Sequence, residues 1–319
     1  MLSKNSIVGY SAGIITGITY GLNPLFGIPL MNDGASIDSI LFFRYGFSVV
    51  LLAAFLILSR QSFKVTPRQL GILLILGLLY TSSSICLFES YKYIASGLAT
   101  TLIFLYPVFV ALIMVVLRVY PTWQVWLAIL ATFVGVLILA QSDDTQTIDP
   151  IGVLLALGSG LSYAIFIVIV NSSRIIRPIS STMLTFYSLS VGMVIFYINT
   201  LLSPNDLTTG INGSSAWLCL VGLAILPTII STATLALSTR KIGATKASVL
   251  GVFEPITAIM VGTIAFNEPI TTNIIVGISI AIAAIIFMIM ATKNSGISPR
   301  KISYCPRNFR PIGNGHRAI

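Results

Sequence analysis

Apolar blocks long enough to cross a bilayer, about 20 residues each, recur ten times along this chain. They fall at 7–29, 37–59, 68–89, 95–117, 123–141, 150–171, 180–201, 215–238, 244–266 and 272–292. Hydrocarbon offers no water to complete backbone hydrogen bonding, so each block must satisfy its own N–H and C=O groups, as a helix does. The strict alternation of a membrane β-barrel is missing. Charged residues make up only 8% of the chain against 56% apolar, where a soluble domain carries roughly 25% charged. The expected fold class is therefore an all-α integral membrane protein with ten transmembrane helices.

The formal charge of +9 does not indicate nucleic-acid binding, because the basic residues form no single face and fall between the apolar blocks. One side receives Lys4, Arg60, Lys64, Arg68, Arg118, Arg174, Arg177, Arg240, Lys241, Lys246 and the tail. The other receives Asp33, Asp38, Asp143, Asp144, Asp149, Asp206 and Glu268, with Lys92 its single base. Basic residues accumulate in cytoplasmic loops, which predicts an even number of spans and two cytoplasmic termini. The first block is too long for a signal-peptide core and reads as a retained helix. The segment 293–319, with Arg300, Lys301, Arg307, Arg310 and Arg317, reads as a disordered basic tail drawn to anionic lipid. Cys86, Cys219 and Cys305 show no paired spacing, and the single histidine, His316, lies in the tail. A disulfide framework, a metal site, a bound cofactor and histidine-based catalysis are thus not expected.

The chain also repeats itself. Residues 89–99 (ESYKYIASGLA) resemble 237–247 (LSTRKIGATKA), and at the same offset Tyr106-Pro107 meets Glu254-Pro255 and Tyr120-Pro121 meets Glu268-Pro269. Upstream, Gly17 to Tyr20 match Gly160 to Tyr163, with Phe43 opposite Phe186. Each half, 7–141 and 150–292, holds five blocks. An odd number makes the second half enter from the opposite side, so the expected architecture is two inverted five-helix repeats. Lys92 outside and its counterpart Arg240 inside agree with this. Inverted repeats recur in secondary transporters, where exchanging the conformations of the halves alternates access to one site.

Two such halves, each with this turn before a proline-centred fourth helix and a closing Tyr-Pro or Glu-Pro, resemble the EamA family of the drug/metabolite transporter superfamily. The resemblance covers about residues 7 to 292. It implies a permease of the bacterial inner membrane that moves small organic solutes, often exporting amino acids or other metabolites. One departure is that family members often close both fourth helices with an acid, whereas this chain has Tyr120 in the first half and Glu268 in the second.

Glu254 is the sharpest site candidate. It lies roughly ten residues, or ~15 Å, from either end of the ninth block, too deep to snorkel, and an acid at that depth marks a functional site by default. Pro255 lacks a backbone donor and should free the Gly251 carbonyl one turn earlier. By the same logic Pro107, beside Tyr106, should free Ile103, and Pro24, beside Asn23, should free Tyr20. Tyr20, Asn23, Tyr106 and Tyr163 read as cavity walls that bind a solute without permanent charge, with Tyr187 a weaker candidate. Arg44, two turns inside the second block, has three open roles: docking a substrate carboxylate, pairing with an acid such as Glu89, or snorkelling outward beside Asp38. Glu89 and Lys92, three apart, can equally pair with each other.

The expected function is a secondary carrier, monomeric in the bilayer, acting on a small-molecule substrate with the solute gradient or protons as energy source. No nucleotide-cradling motif points to ATP. A membrane-embedded enzyme, or a channel or scramblase on the same scaffold, are the rival readings. No nucleophile–base pair or HExxH motif supports the enzyme.

Overall fold

A computed structural model describes residues 4–117, 123–140, 149–203, 206–242, 247, 250–268 and 272–294. Arg118, Tyr120, Pro121, Asp143, Asp144, Lys246, Pro269 and the tail beyond Asn294, with Cys305 and His316, lie outside the described residues.

Helices account for all the regular structure among the described residues. They are α1 (Lys4–Gly21), α2 (Asn23–Asn32), α3 (Ile37–Leu58), α4 (Pro67–Ser90), α5 (Ser96–Ile103), α6 (Tyr106–Val116) and α7 (Trp123–Ala140). They continue as α8 (Pro150–Ser172), α9 (Ser181–Leu202), α10 (Gly213–Ala224), a π-helical turn (Ile225–Ile230), α11 (Ser231–Ile242), α12 (Phe253–Phe266) and α13 (Thr272–Asn294). Seven stretches are long and apolar enough to cross a membrane: Ser6–Asn32, Ile37–Leu58, Pro67–Ser90, Ser96–Val116, Pro150–Val170, Ser181–Leu202 and Gly213–Ser238. These coincide with seven of the ten blocks read from sequence; α7, α12 and α13 occupy the other three. The chain is a multi-pass membrane protein.

Polar residues between the blocks set the helix starts. Ser36 Oγ accepts from Ser39 N at 3.1 Å and caps α3. Thr66 and Gln69 form a reciprocal capping box ahead of α4, with Pro67 where a missing donor costs nothing. Asp149 caps α8 through Ile151 N at 2.8 Å, and Ser180 caps α9 through Met183 N.

The outer surface is apolar: Leu58, Val116 and Leu202 are each more than 80% exposed. Such a surface needs hydrocarbon as its solvent. Inside, α1 packs on α11 and α12, α4 on α8 and α9, and α3 on α9. Helix α5 packs on α12 and α8, α6 on α8, and α10 on α2 and α3. Helices α7 and α13 pack on each other, and an apolar cavity of about 450 Å³, lined by Ile256, Ile259, Ile275 and Ile278 among others, separates α13 from α12. One apolar core gathers Leu30, Leu41, Tyr45, Phe88, Phe196 and Leu220. A second gathers Leu98, Leu102, Phe104, Ala156 and Ile278.

Candidate functional site

Three of the proline positions break their helices. α1 gives way to α2 at Leu22, α5 to α6 at Phe104–Leu105, and α12 begins after a turn at Gly251–Val252. Two of the three freed carbonyls already have a donor, which corrects the sequence-based expectation. The Tyr20 carbonyl accepts from Asn23 Nδ2 at 2.8 Å, and the Gly251 carbonyl accepts from Glu254 N at 2.9 Å. Backbone acceptors that lose a helical donor are refilled by the nearest polar group, because leaving them bare in a dry interior costs too much. Asn23, 2% exposed, is occupied on its amino side by this bond, while its Oδ1 has no partner among the described residues.

Glycines set the distances between the broken helices. A Cβ on Gly17 would stand 2.7 Å from Phe253 Cβ, and one on Gly21 would stand 2.5 Å from the Glu254 carbonyl oxygen. The bare face of α1 thus lets the start of α12 lie beside Tyr20. Gly160 of α8 does the same for the α5–α6 break, where a Cβ would meet the Ile103 oxygen at 3.1 Å. That approach brings the rings of Tyr106 and Tyr163 to 5.0 Å, edge to face.

Tyr20, Tyr106, Tyr163 and Glu254 are brought together. The Glu254 carboxylate lies within electrostatic reach of all three phenols and of Tyr80 and Tyr91 on α4 and its C-terminal turn. It forms no hydrogen bond or ion pair among the described residues. Tyr163 stacks on Phe166, whose ring also meets Tyr80 at 5.7 Å, and Tyr80 neighbours Tyr45. The result is a group of phenols near one carboxylate. Such a site offers hydrogen bonds, aromatic faces and a single exchangeable charge.

Arg44 also reaches Tyr20, Tyr80 and Tyr91 electrostatically, from α3. It neither snorkels nor pairs with Glu89. The side chain is 2% exposed, Nε donates to Thr228 Oγ1 at 3.0 Å, and Cζ lies 5.7 Å from the centre of the Phe88 ring. Glu89 instead pairs with Lys92 at 2.8 Å, at the end of α4 where both ions keep access to water. Tyr187 donates to the Phe63 carbonyl and is not part of the phenol group.

Sequence reasoning missed Tyr80, Tyr91 and Thr228. The signal for Thr228 was Pro227, inside the block 215–238. Pro227 cannot donate to the Leu223 carbonyl, and the Thr228 hydroxyl donates to it instead, at 2.9 Å. That swap widens the turn into the π-helix of residues 225–230, a feature that often sits at functional sites. Ser48 Oγ donates to the neighbouring Ala224 carbonyl at 3.3 Å.

Glu268 occupies a separate position. Asn267 ends α12 in the left-handed conformation (φ 51°), and the Asn267 and Glu268 N–H groups both bond to the Gly262 carbonyl, the second at 3.0 Å. The turn aims Glu268 at the start of α5, where Oε1 accepts from Ser96 N at 2.9 Å. A carboxylate there satisfies an orphan donor and meets the positive end of the helix dipole.

The comparisons with known proteins fit this arrangement. The profile of the EamA-like transporter family matches residues 7–141 and, a second time, 150–290. An uncharacterized transporter of Archaeoglobus fulgidus is 25% identical over 278 residues, 87% of this chain and 95% of that protein. An uncharacterized transporter of Synechocystis is 26% identical over 204 residues, 61% of this chain and 59% of the other. A protein of known crystal structure shares the fold with a TM-score of 0.61 at 15% identity, covering 93% of this chain and all of that one. With the profile accounting for nearly all of the apolar blocks, this chain belongs to the EamA-like transporter family and is a membrane transporter.

Proposed function

We propose that the protein is a secondary carrier that moves a small organic solute, an amino acid or another metabolite, by alternating access. Its ten helices would form two inverted repeats, 7–141 and 150–292, with residues 293–319 as a cytoplasmic tail. Both termini would face the cytoplasm of a cell whose inner membrane holds the protein as a monomer, and transport would run outward.

The inverted repeat is supported by helix contacts that come in matched pairs. Helix α1 packs on α11 and α12, and its counterpart α8 packs on α4, α5 and α6. The match extends to single residues: Gly9 presses on Ile242, and the corresponding Gly152 presses on Ile94.

The observation that carries the function is Glu254, unpaired, at a helix break among tyrosines from α1, α4, α6 and α8. A carboxylate at that depth is a binding or proton-carrying group by default. Because halves of such carriers rock about a fixed central site, a residue ringed by several helices stays accessible in turn to each side.

Glu254→Gln keeps size and hydrogen-bonding capacity but cannot release a proton. Proteoliposomes with the wild-type protein should show solute flux that responds to an imposed pH gradient, and Glu254→Gln should lose that response while remaining folded. An unchanged response in the variant would remove Glu254 from the coupling step.

A further inference from the structure

A buried ion requires a partner, because the cost of stripping its water is recovered only through pairing or hydrogen bonds. Arg44 is 2% exposed, yet among the described residues no carboxylate lies within ion-pair distance of it. Its Nε is used by Thr228, and one face rests against Phe88. The two terminal amino groups donate to nothing among the described residues. These are the groups that form the planar fork matching a carboxylate. The guanidinium and Glu254 act electrostatically on the same phenols, Tyr20, Tyr80 and Tyr91, yet no ion pair joins the two. Thr228 is itself fixed, its hydroxyl donating to the carbonyl that Pro227 leaves bare. The arginine is therefore anchored at Nε, while its terminal amino groups have no partner among the described residues.

We infer that Arg44 docks a carboxylate of the transported solute, with Thr228 as the positioning residue that aims the fork. This assignment rests on the carrier reading above and narrows it to solutes that bear a carboxylate.

The test uses purified full-length protein in detergent and matched acid–amide pairs: leucine and leucinamide, phenylalanine and phenylalaninamide, lactate and lactamide, benzoate and benzamide. Binding is read as a concentration-dependent rise in the thermal unfolding midpoint. The expected result is an acid that stabilises the protein while its amide at the same concentration does not. Arg44→Gln should weaken that acid at least about thirtyfold, the lower end for truncating a buried charged pair. Arg44→Lys, which keeps charge but loses the fork, should fall between. Ligand-free Arg44→Gln should unfold cooperatively at or above the wild-type midpoint, since it removes an uncompensated ion; an arginine that merely braced the fold would lower it. A panel in which no acid outperforms its amide, or an acid that binds Arg44→Gln with unchanged affinity, overturns the assignment. Flux of the same pairs into proteoliposomes separates the two readings. An acid that binds through Arg44 without saturable flux refutes the carrier, whereas equal saturable flux of acids and amides refutes the carboxylate site and leaves the carrier standing.

Discussion

Gly21→Ala adds one methyl group at the closest approach of α1 to the start of α12. Its Cβ would stand 2.5 Å from the Glu254 carbonyl oxygen and 2.7 Å from Thr257 Cβ. Ordinary contacts of these kinds exceed 3 Å, and one obstacle is backbone, which cannot rotate aside. Overpacking of this sort costs ~1–3 kcal/mol. The usual helical gain of up to ~1 kcal/mol on replacing glycine is small here, because Gly21 is the last residue of α1. By the scaling of soluble domains of 150–250 residues, the unfolding midpoint should fall by roughly 2–12 °C. Gly71→Ala supplies the control: it lies in the first turns of α4 with nothing within 4 Å of the added methyl, and should gain ~0.5–1 kcal/mol. Thermal unfolding of both variants in one detergent measures the difference. Gly21→Ala should also depress flux, because it pushes Tyr20 away from Glu254, whereas Gly71→Ala should not. Equal stability of the two variants would refute the argument that close approach at Gly21 positions the site.

Other consequences follow from particular bonds. Thr228→Val should destabilise the protein by about 1.5–3 kcal/mol, the range for a hydrogen bond to a charged group, as measured by thermal unfolding. Thr232→Val, whose hydroxyl only back-bonds within its own helix, should cost clearly less, and the reverse order would contradict the anchoring role of Thr228. Glu268→Ala should cost ~1 kcal/mol through loss of the cap on Ser96 N, and Glu268→Gln, which keeps an acceptor, should restore most of it. Orientation can be read in a background lacking Cys86, Cys219 and Cys305. A cysteine at position 92 should react with an impermeant thiol reagent in intact cells, and one at position 60 only after permeabilisation; the opposite pattern would invert the topology.

The features most legible in the sequence were those that local chemistry enforces. Block length fixed where helices run, and Pro24, Pro107 and Pro255 marked where they break, because a missing N–H acts on its own turn whatever surrounds it. Gly9, Gly13, Gly17 and Gly21, spaced four apart on α1, also read directly as one close-packed face. What the sequence concealed depended on neighbours. The prolines' freed carbonyls looked available, but Asn23 and the Glu254 N–H take two of them, and only the folded geometry shows which donor is near. Tyr80 and Tyr91 carry no charge and sit at no break, so nothing separated them from packing aromatics until α4 was seen to pass Glu254. Arg44 was balanced between surface and interior because its depth depends on helix tilt. The π-helical turn does have a sequence mark in Pro227, which cannot donate to the Leu223 carbonyl.

Flux into proteoliposomes decides whether the protein is a carrier with its site at Glu254. A labelled pool of amino acids and small metabolites would be offered to vesicles preloaded with the same compounds unlabelled. Saturable uptake of one class is expected, accelerated by the trans compound and lost in Glu254→Ala protein that still unfolds cooperatively. Flux that neither saturates nor responds to the trans compound, or that survives Glu254→Ala unchanged, would contradict that assignment.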